Sequence, residues 1–172
     1  LEEMLAFAVS FDGPIAIRYP RGGAYQELQE YQAPVEYGRS EIIRKGKKIA
    51  VLGVGSMIPS CMEICKGLKD DGYDPTFVNA RFVKPLDVDL LDELAKDHSL
   101  FVTVEENVKS GGYGEHVSAY MEACHPEIRV LSAAVWDRFV PQGNVESLRS
   151  RIGLGVEDIR QAIEDSEELR EQ

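Results

Sequence analysis

Three times in succession this chain runs strand, turn, helix, and that order constrains its fold more than any other feature. The first unit opens with Ile49-Ala50-Val51-Leu52, a continuous apolar run of the kind carried by a strand covered on both faces. Gly53-Val54-Gly55-Ser56 ends it, with a serine cap expected for the helix that follows. That helix carries Ile58, Cys61, Met62, Cys65 and Leu68 on one face and stops at Asp71-Gly72. The second unit is a strand over 76–80 and a helix opened by Pro85 and Asp87, with Leu90, Leu91, Leu94 and Ala95 along it. The third is a strand over 100–104, then Gly111-Gly112-Tyr113-Gly114 and a helix with Val117, Tyr120, Met121 and Cys124 inward. A last strand spans 128–135, and acidic helices are expected around 148–152 and from 156 to about 169. Residues 40–44 and 48–54 flank Lys45-Gly46-Lys47, a glycine-centred hairpin signal. Strands alternating with helices pair in parallel through right-handed crossovers. The expected fold is therefore α/β with three layers, α/β/α: a mostly parallel sheet of about five strands with one antiparallel edge strand.

Upstream of residue 38 the pattern changes. Leu1, Met4, Leu5 and Ala8 fall at helical spacing, and Ile15, Ile17 and Tyr19 alternate with Ala16 and Arg18 as a strand over 14–19. Pro20-Arg21-Gly22-Gly23 ends that strand, and residues 23–37 lose periodicity and read as a linker. The expected division is the end of one domain over 1–22, an interdomain linker over 23–37 and a complete α/β domain over 38–172. A start inside a helix, without an initiator Met, is expected of a piece of a longer protein.

Composition narrows the partners. The net charge of −11 argues against a surface built for nucleic acid or anionic lipid. Part of that deficit is local, since residues 155–172 hold seven acidic residues against two arginines. Three cysteines make no disulfide framework and suggest a reducing compartment. No apolar run approaches the ~20 residues that span a bilayer.

In an open α/β sheet, ligands sit at the carboxyl ends of the strands, which brings forward loops 20–23, 53–56, 79–84 and 105–114. Gly53-Val54-Gly55-Ser56 begins like a dinucleotide fingerprint, but Ile58 stands where the third glycine should be. Cys61 and Cys65 have a chelating spacing yet lie within the apolar stripe, so core packing is expected of them. His98 and His125 fall at helix ends, where positive charge suits the dipole, and His116 lies near a strand-end loop. Glu105-Glu106-Asn107 places two carboxylates at the end of a buried strand, costly unless they are paired. The glycines at 111, 112 and 114 let the backbone pass close to a ligand or a neighbouring subunit. Arg18, Arg21, Arg81 and Lys84 are the basic groups nearest strand ends, and an arginine fork matches phosphate oxygens.

Five blocks in order are more specific than any one of these features. They are Ile17-Arg18-Tyr19-Pro20-Arg21-Gly22, Arg81-Phe82-Val83-Lys84-Pro85-Leu86-Asp87, Val102-Thr103-Val104-Glu105-Glu106-Asn107, Gly111-Gly112-Tyr113-Gly114 and Asp137-Arg138-Phe139-Val140-Pro141-Gln142-Gly143. Together, over roughly residues 12–160, they resemble the C-terminal third of the transketolase-like 1-deoxy-D-xylulose-5-phosphate synthase family. The resemblance implies a transferase that condenses pyruvate with D-glyceraldehyde 3-phosphate, with loss of carbon dioxide, on thiamine diphosphate held by magnesium. It implies a cytoplasmic homodimer that serves non-mevalonate isoprenoid synthesis as well as thiamine and pyridoxal synthesis. The magnesium-binding segment and the glutamate that activates the aminopyrimidine lie in the family's first and second domains. No catalytic, cofactor or metal residue is therefore expected in this chain, residues 1–22 become the end of the pyrimidine-binding domain, and the chain alone is expected to be inactive.

One family contact carries over. The second arginine of the Tyr-Pro-Arg-Gly segment, here Arg21, is the acceptor-phosphate ligand, and Arg18 is a second candidate that strand alternation would turn away. The Glu-Glu-Asn and Gly-Gly-x-Gly blocks resemble the family's core and dimer region, so structure is expected of them. Val135-Trp136 departs from the family's Leu-Pro, which leaves the local backbone shape there open. Other readings are the C-terminal domain of a different transketolase-type enzyme, such as a 2-oxo-acid dehydrogenase β subunit, or a regulatory module binding a nucleotide at 53–56.

Overall fold

A computed structural model of the chain describes residues 1–20, 25, 31 and 33–166. One five-stranded sheet is formed by β1 (Glu41–Arg44), β2 (Lys48–Gly53), β3 (Thr76–Asn79), β4 (His98–Val108) and β5 (Arg129–Val135), in the order β1-β3-β2-β4-β5. β2 pairs in parallel with β3 and β4, and β4 with β5, while β1 runs antiparallel to β3 at the edge. The helices are α1 (Glu2–Ser10), α2 (Ile58–Asp70), α3 (Val88–Leu94), α4 (Tyr113–Cys124), α5 (Val145–Arg151) and α6 (Val156–Glu164).

Side chains alternate across a strand, so each central strand feeds two cores. Ile49 and Val51 of β2, with Val102 and Val104 of β4, pack under Cys61, Ile64 and Leu68 of α2 and Ile159 and Ile163 of α6. Ala50 and Leu52, with Phe101, pack on the other face under Leu91 and Leu94 of α3 and Val117 and Met121 of α4. The three layers are thus α2/α6, sheet and α3/α4, as the apolar runs require. From β2 the chain moves to β3 by way of α2, then crosses back over β2 to β4 by way of α3. The loops after β2 and β4 therefore diverge to opposite faces, which opens the switch-point crevice of such sheets between them.

Four local expectations are corrected. Residues 44–48 do not close a hairpin: β1 pairs with β3, Glu41 opposite Asn79 and Ile42 opposite Val78. Both edges of β2 are already taken by β3 and β4, so no hydrogen-bonding edge remains for β1 there. Gly46 N–H instead donates to Thr76 Oγ1 at 2.9 Å and Lys47 N–H to the Asp74 carbonyl at 2.7 Å. A Cβ on Gly46 would overlap that carbonyl, so close approach of the two chains, rather than a tight turn, is what calls for glycine. Residues 14–19 join no ladder among the described residues. Alternation says which side chains could share a face, but a strand forms only against a partner edge. Cys124 is exposed rather than inward: it shares the stripe of Val117 and Met121, but as the last residue of α4 it lies at the end where that stripe is no longer covered. Finally, α6 ends at Glu164, short of the helix expected to about 169, of which residues 167–169 lie outside the described ones.

Segments ahead of the sheet are tied to it. Phe7 of α1 meets Phe82 edge-on at 5.8 Å, and Phe11 stacks on Tyr37 at 4.9 Å. Asp87, nearly buried, caps α3 by accepting from Leu90 N–H at 3.3 Å and accepts from Ser40 N–H at 2.7 Å and Arg39 Nη1 at 2.9 Å. One carboxylate thus starts α3 and pins the approach to β1.

Candidate functional site

At the carboxyl end of β4 the adjacent carboxylates Glu105 and Glu106 point to opposite faces and do different things. Glu105 follows Phe101 and Thr103 on the α4 side, where it is fully buried. Its Oε1 accepts from Gly114 N–H at 2.7 Å, and its Oε2 accepts from Tyr113 N–H at 3.0 Å and Asn107 Nδ2 at 2.9 Å. The residue at the N-cap of α4 is Gly112, which has no side chain to offer, so Glu105 supplies from the strand the acceptor and negative charge that a helix N-terminus needs. A Cβ on Gly112 would lie 2.6 Å from Glu105 Oε1. A Cβ on Gly114 would strike the hydroxyls of Thr103 and Ser132. The close approach expected of the glycine loop is therefore to this buried carboxylate and the strand beneath it.

Glu106 turns to the α2 face and closes the switch-point crevice. It accepts from Ser56 Oγ at 2.7 Å and from Arg149 of α5 at 3.2 Å through Nε and 3.1 Å through Nη2. Burial pushes its carboxyl up, but the Arg149 and Ser56 hydrogen bonds outweigh burial and hold it below the usual carboxylate range. Ser56 is thus not the cap of α2, and its hydroxyl is spent on Glu106. The fingerprint-like turn offers no phosphate cradle. Ile58 is buried, a 3-10 turn over Gly55–Met57 precedes the helix, and Pro59 removes an N–H from its first turn.

The basic candidates separate. Arg81 is nearly buried, pairs with Glu41 at 2.5 Å and donates to the carbonyls of Ala33 at 2.8 Å and Pro34 at 3.2 Å. It ties linker to edge strand, an assignment that only its buried carboxylate partner reveals. Lys84 is exposed. Arg18 is exposed, and its Nη2 donates to Asn107 Oδ1, which brings that side chain to the end of β4. Since residues 14–19 form no ladder, strand alternation does not turn Arg18 away. Arg21 and most of the linker over 23–37 lie outside the described residues.

Cys61 and Cys65 are buried in the core, where loss of solvation pushes the Cys61 thiol well up and that of Cys65 to about 12. His98 is not a charged group at a helix end. Its Nδ1–H donates to the Leu94 carbonyl at 2.8 Å, and its Nε2 lies 2.6 Å from Thr76 Oγ1, from which the neutral ring can accept. Burial lowers its pKa accordingly. His125 does end a helix and meets Asp92 at 2.8 Å, while His116 is exposed. At the family's Leu-Pro position, β5 ends at Val135, where its register with β4 shifts between Val104 and Val108, and the Trp136 ring lies 5.0 Å from Lys109 Nζ.

No cluster of three His, Cys, Asp or Glu side chains able to hold a metal occurs among the described residues. Both strand-end glutamates are committed to protein donors. Among these residues no helix is long and apolar enough to cross a membrane.

A parallel sheet with one antiparallel edge and a buried carboxylate under a Gly-Gly-x-Gly helix start define a transketolase-type C-terminal domain. Residues 38–159 match the family described as transketolase, C-terminal domain, and the chain belongs to that family. Among curated relatives it is similar to the 1-deoxy-D-xylulose-5-phosphate synthase of Lachnoclostridium phytofermentans, with 42% identity over 92% of this chain and 25% of that protein. It is likewise similar to the Dictyoglomus thermophilum synthase, with 39% identity over 95% of this chain and 26% of that protein. The chain spans about a quarter of the length of these relatives. Of solved structures, a split-gene transketolase described as an inactive beta4 tetramer superposes with a TM-score of 0.87 at 28% identity, covering 97% of this chain and 54% of that one. Transketolase from Campylobacter jejuni shares the fold at a TM-score of 0.50 and 16% identity, over 75% of this chain and 19% of that one.

Proposed function

We propose that this chain is the C-terminal portion of a cytoplasmic, homodimeric synthase that condenses pyruvate with D-glyceraldehyde 3-phosphate to 1-deoxy-D-xylulose 5-phosphate, with loss of carbon dioxide. The observation that carries this reading is identity of 39–42% to synthases of that name along nearly the whole chain. Residues 1–22 end the pyrimidine-binding domain, 23–37 link, and 38–172 form the C-terminal domain, which supplies dimer packing. Thiamine diphosphate and magnesium supply the carbon–carbon chemistry from the preceding domains, and the isolated chain is inactive. Neither nucleic acid nor membrane is a partner.

Arg21 holds the phosphate of the acceptor, with Arg18 as a second contact from the same segment. A hydrogen bond to a charged group contributes about 1.5–3 kcal/mol, roughly a ten- to hundredfold effect on binding. In the complete enzyme, Arg21→Ala is expected to raise the acceptor KM by that factor and to leave the pyruvate KM within about twofold. Equal losses for both substrates would overturn the assignment.

A further inference from the structure

Arg18 reaches the carboxyl end of β4 through one side chain, Asn107, whose Oδ1 accepts from Nη2. The other end of that amide is already committed, since Nδ2 donates to Glu105 Oε2 at 2.9 Å. Glu105 in turn is fully buried and held by the first two N–H groups of α4. This order of bonds dictates a residue type. A guanidinium only donates and a carboxylate only accepts, so the group between them must accept on one side and donate on the other. An amide does both, whereas a carboxylate at 107 would face Glu105 charge to charge and a hydrocarbon would bond to neither.

We propose that Asn107 is a positioning residue for acceptor-phosphate binding by Arg18, transmitting the fixed start of α4 to that side chain by orienting its guanidinium. The remaining donors of that fork hold no partner among the described residues, so an anion meets a cation whose ordering has been achieved beforehand. The inference rests on the phosphate role proposed for Arg18.

The test uses the complete enzyme with Asn107→Leu, Arg18→Gln and the double variant. It reads KM for D-glyceraldehyde 3-phosphate and for pyruvate, kcat, and the rate of tryptic cleavage at the Arg18–Tyr19 bond where Arg18 is retained. Asn107→Leu is expected to raise the acceptor KM about tenfold, the scale of one charge-assisted hydrogen bond. The pyruvate KM and kcat should stay within about twofold, and cleavage after Arg18 should accelerate severalfold. Arg18→Gln, at an exposed position that does not threaten folding, should reproduce the acceptor effect, and the double variant should be no worse than the worse single. Equal losses on both substrates, or additive effects in the double variant, overturn the proposal. Cleavage unchanged in Asn107→Leu overturns it as well, whatever the enzyme's substrates. If cleavage accelerates but the wild-type enzyme turns over no D-glyceraldehyde 3-phosphate, the synthase reading falls while the clamp on Arg18 stands.

Discussion

At the scale of single residues, the buried carboxylates of this domain are placed where burial demands a partner, while among the described residues the hydroxyls of Thr103, Ser132 and Ser166 and Nε of Arg160 are buried without one. Glu105 and Glu106 are neighbours in sequence but, one residue apart on a strand, face a helix N-terminus on one side and an arginine on the other. His98 sits in a chain of the same kind: Gly46 N–H donates to Thr76 Oγ1, and that hydroxyl lies 2.6 Å from the imidazole Nε2. Protonation would turn Nε2 into a second donor facing the same hydroxyl, and burial already disfavours the charge. A histidine with a lowered folded pKa binds fewer protons folded than unfolded. Its contribution to stability is therefore present above the unfolded value of about 6.5 and is lost as pH falls below it. The urea midpoint is expected to drop between pH 7.5 and 5.5, and to drop less in His98→Gln, where no ring can be protonated. A pH response as large in the variant as in the wild type would assign the effect to other groups.

Between elements, the decisive contacts are those in which one backbone lies against another. Gly46 is the clearest case, because a Cβ there would lie 2.6 Å from the Pro75 carbonyl carbon in addition to meeting the Asp74 carbonyl. Neither is the yielding end of a flexible side chain. Gly46→Ala is expected to cost about 1–3 kcal/mol by forcing the β1–β2 connection away from the start of β3. Equilibrium urea unfolding measures this, and a change below about 0.5 kcal/mol, the usual scatter of neutral substitutions, would show that the connection gives way freely. The same logic governs α2 and α6, where Gly67 leaves the space filled by Arg160, which bonds Asp71 across the helix pair at 2.6 Å. On α4 the N-terminal glycines serve a carboxylate delivered by a strand, so that helix starts only where the sheet is already assembled.

Viewed whole, the molecule is apolar in two places where a folded domain is usually not. On α1 and just beyond it, Leu1, Leu5, Val9 and Tyr19 are 49–89% exposed. Beyond β5, Trp136, Phe139 and Val145 are likewise exposed, with Phe139 wholly so. Exposed apolar groups gathered in patches mark interaction surfaces. The purified 172-residue chain is therefore expected to self-associate with rising concentration in sedimentation velocity. A monomer throughout the micromolar range would deny these patches a role in assembly. The layers, the parallel strands and the helix stripes were legible in the residues because period 2, period 3.6 and continuous apolar runs are local consequences of which face is buried. Helix α3 was legible too, since its cap Asp87 lies next to the helix it starts. Four things were not: the pairing of β1 with β3, the neutral state of His98, the two destinations of Glu105 and Glu106, and the link from Arg18 to Asn107. Each depends on groups 8 to 89 residues apart meeting in space, as Glu105 meets Tyr113 and Arg18 meets Asn107. Local periodicity determines which face a residue turns inward; only the assembled tertiary structure decides what waits there to accept or donate a hydrogen bond.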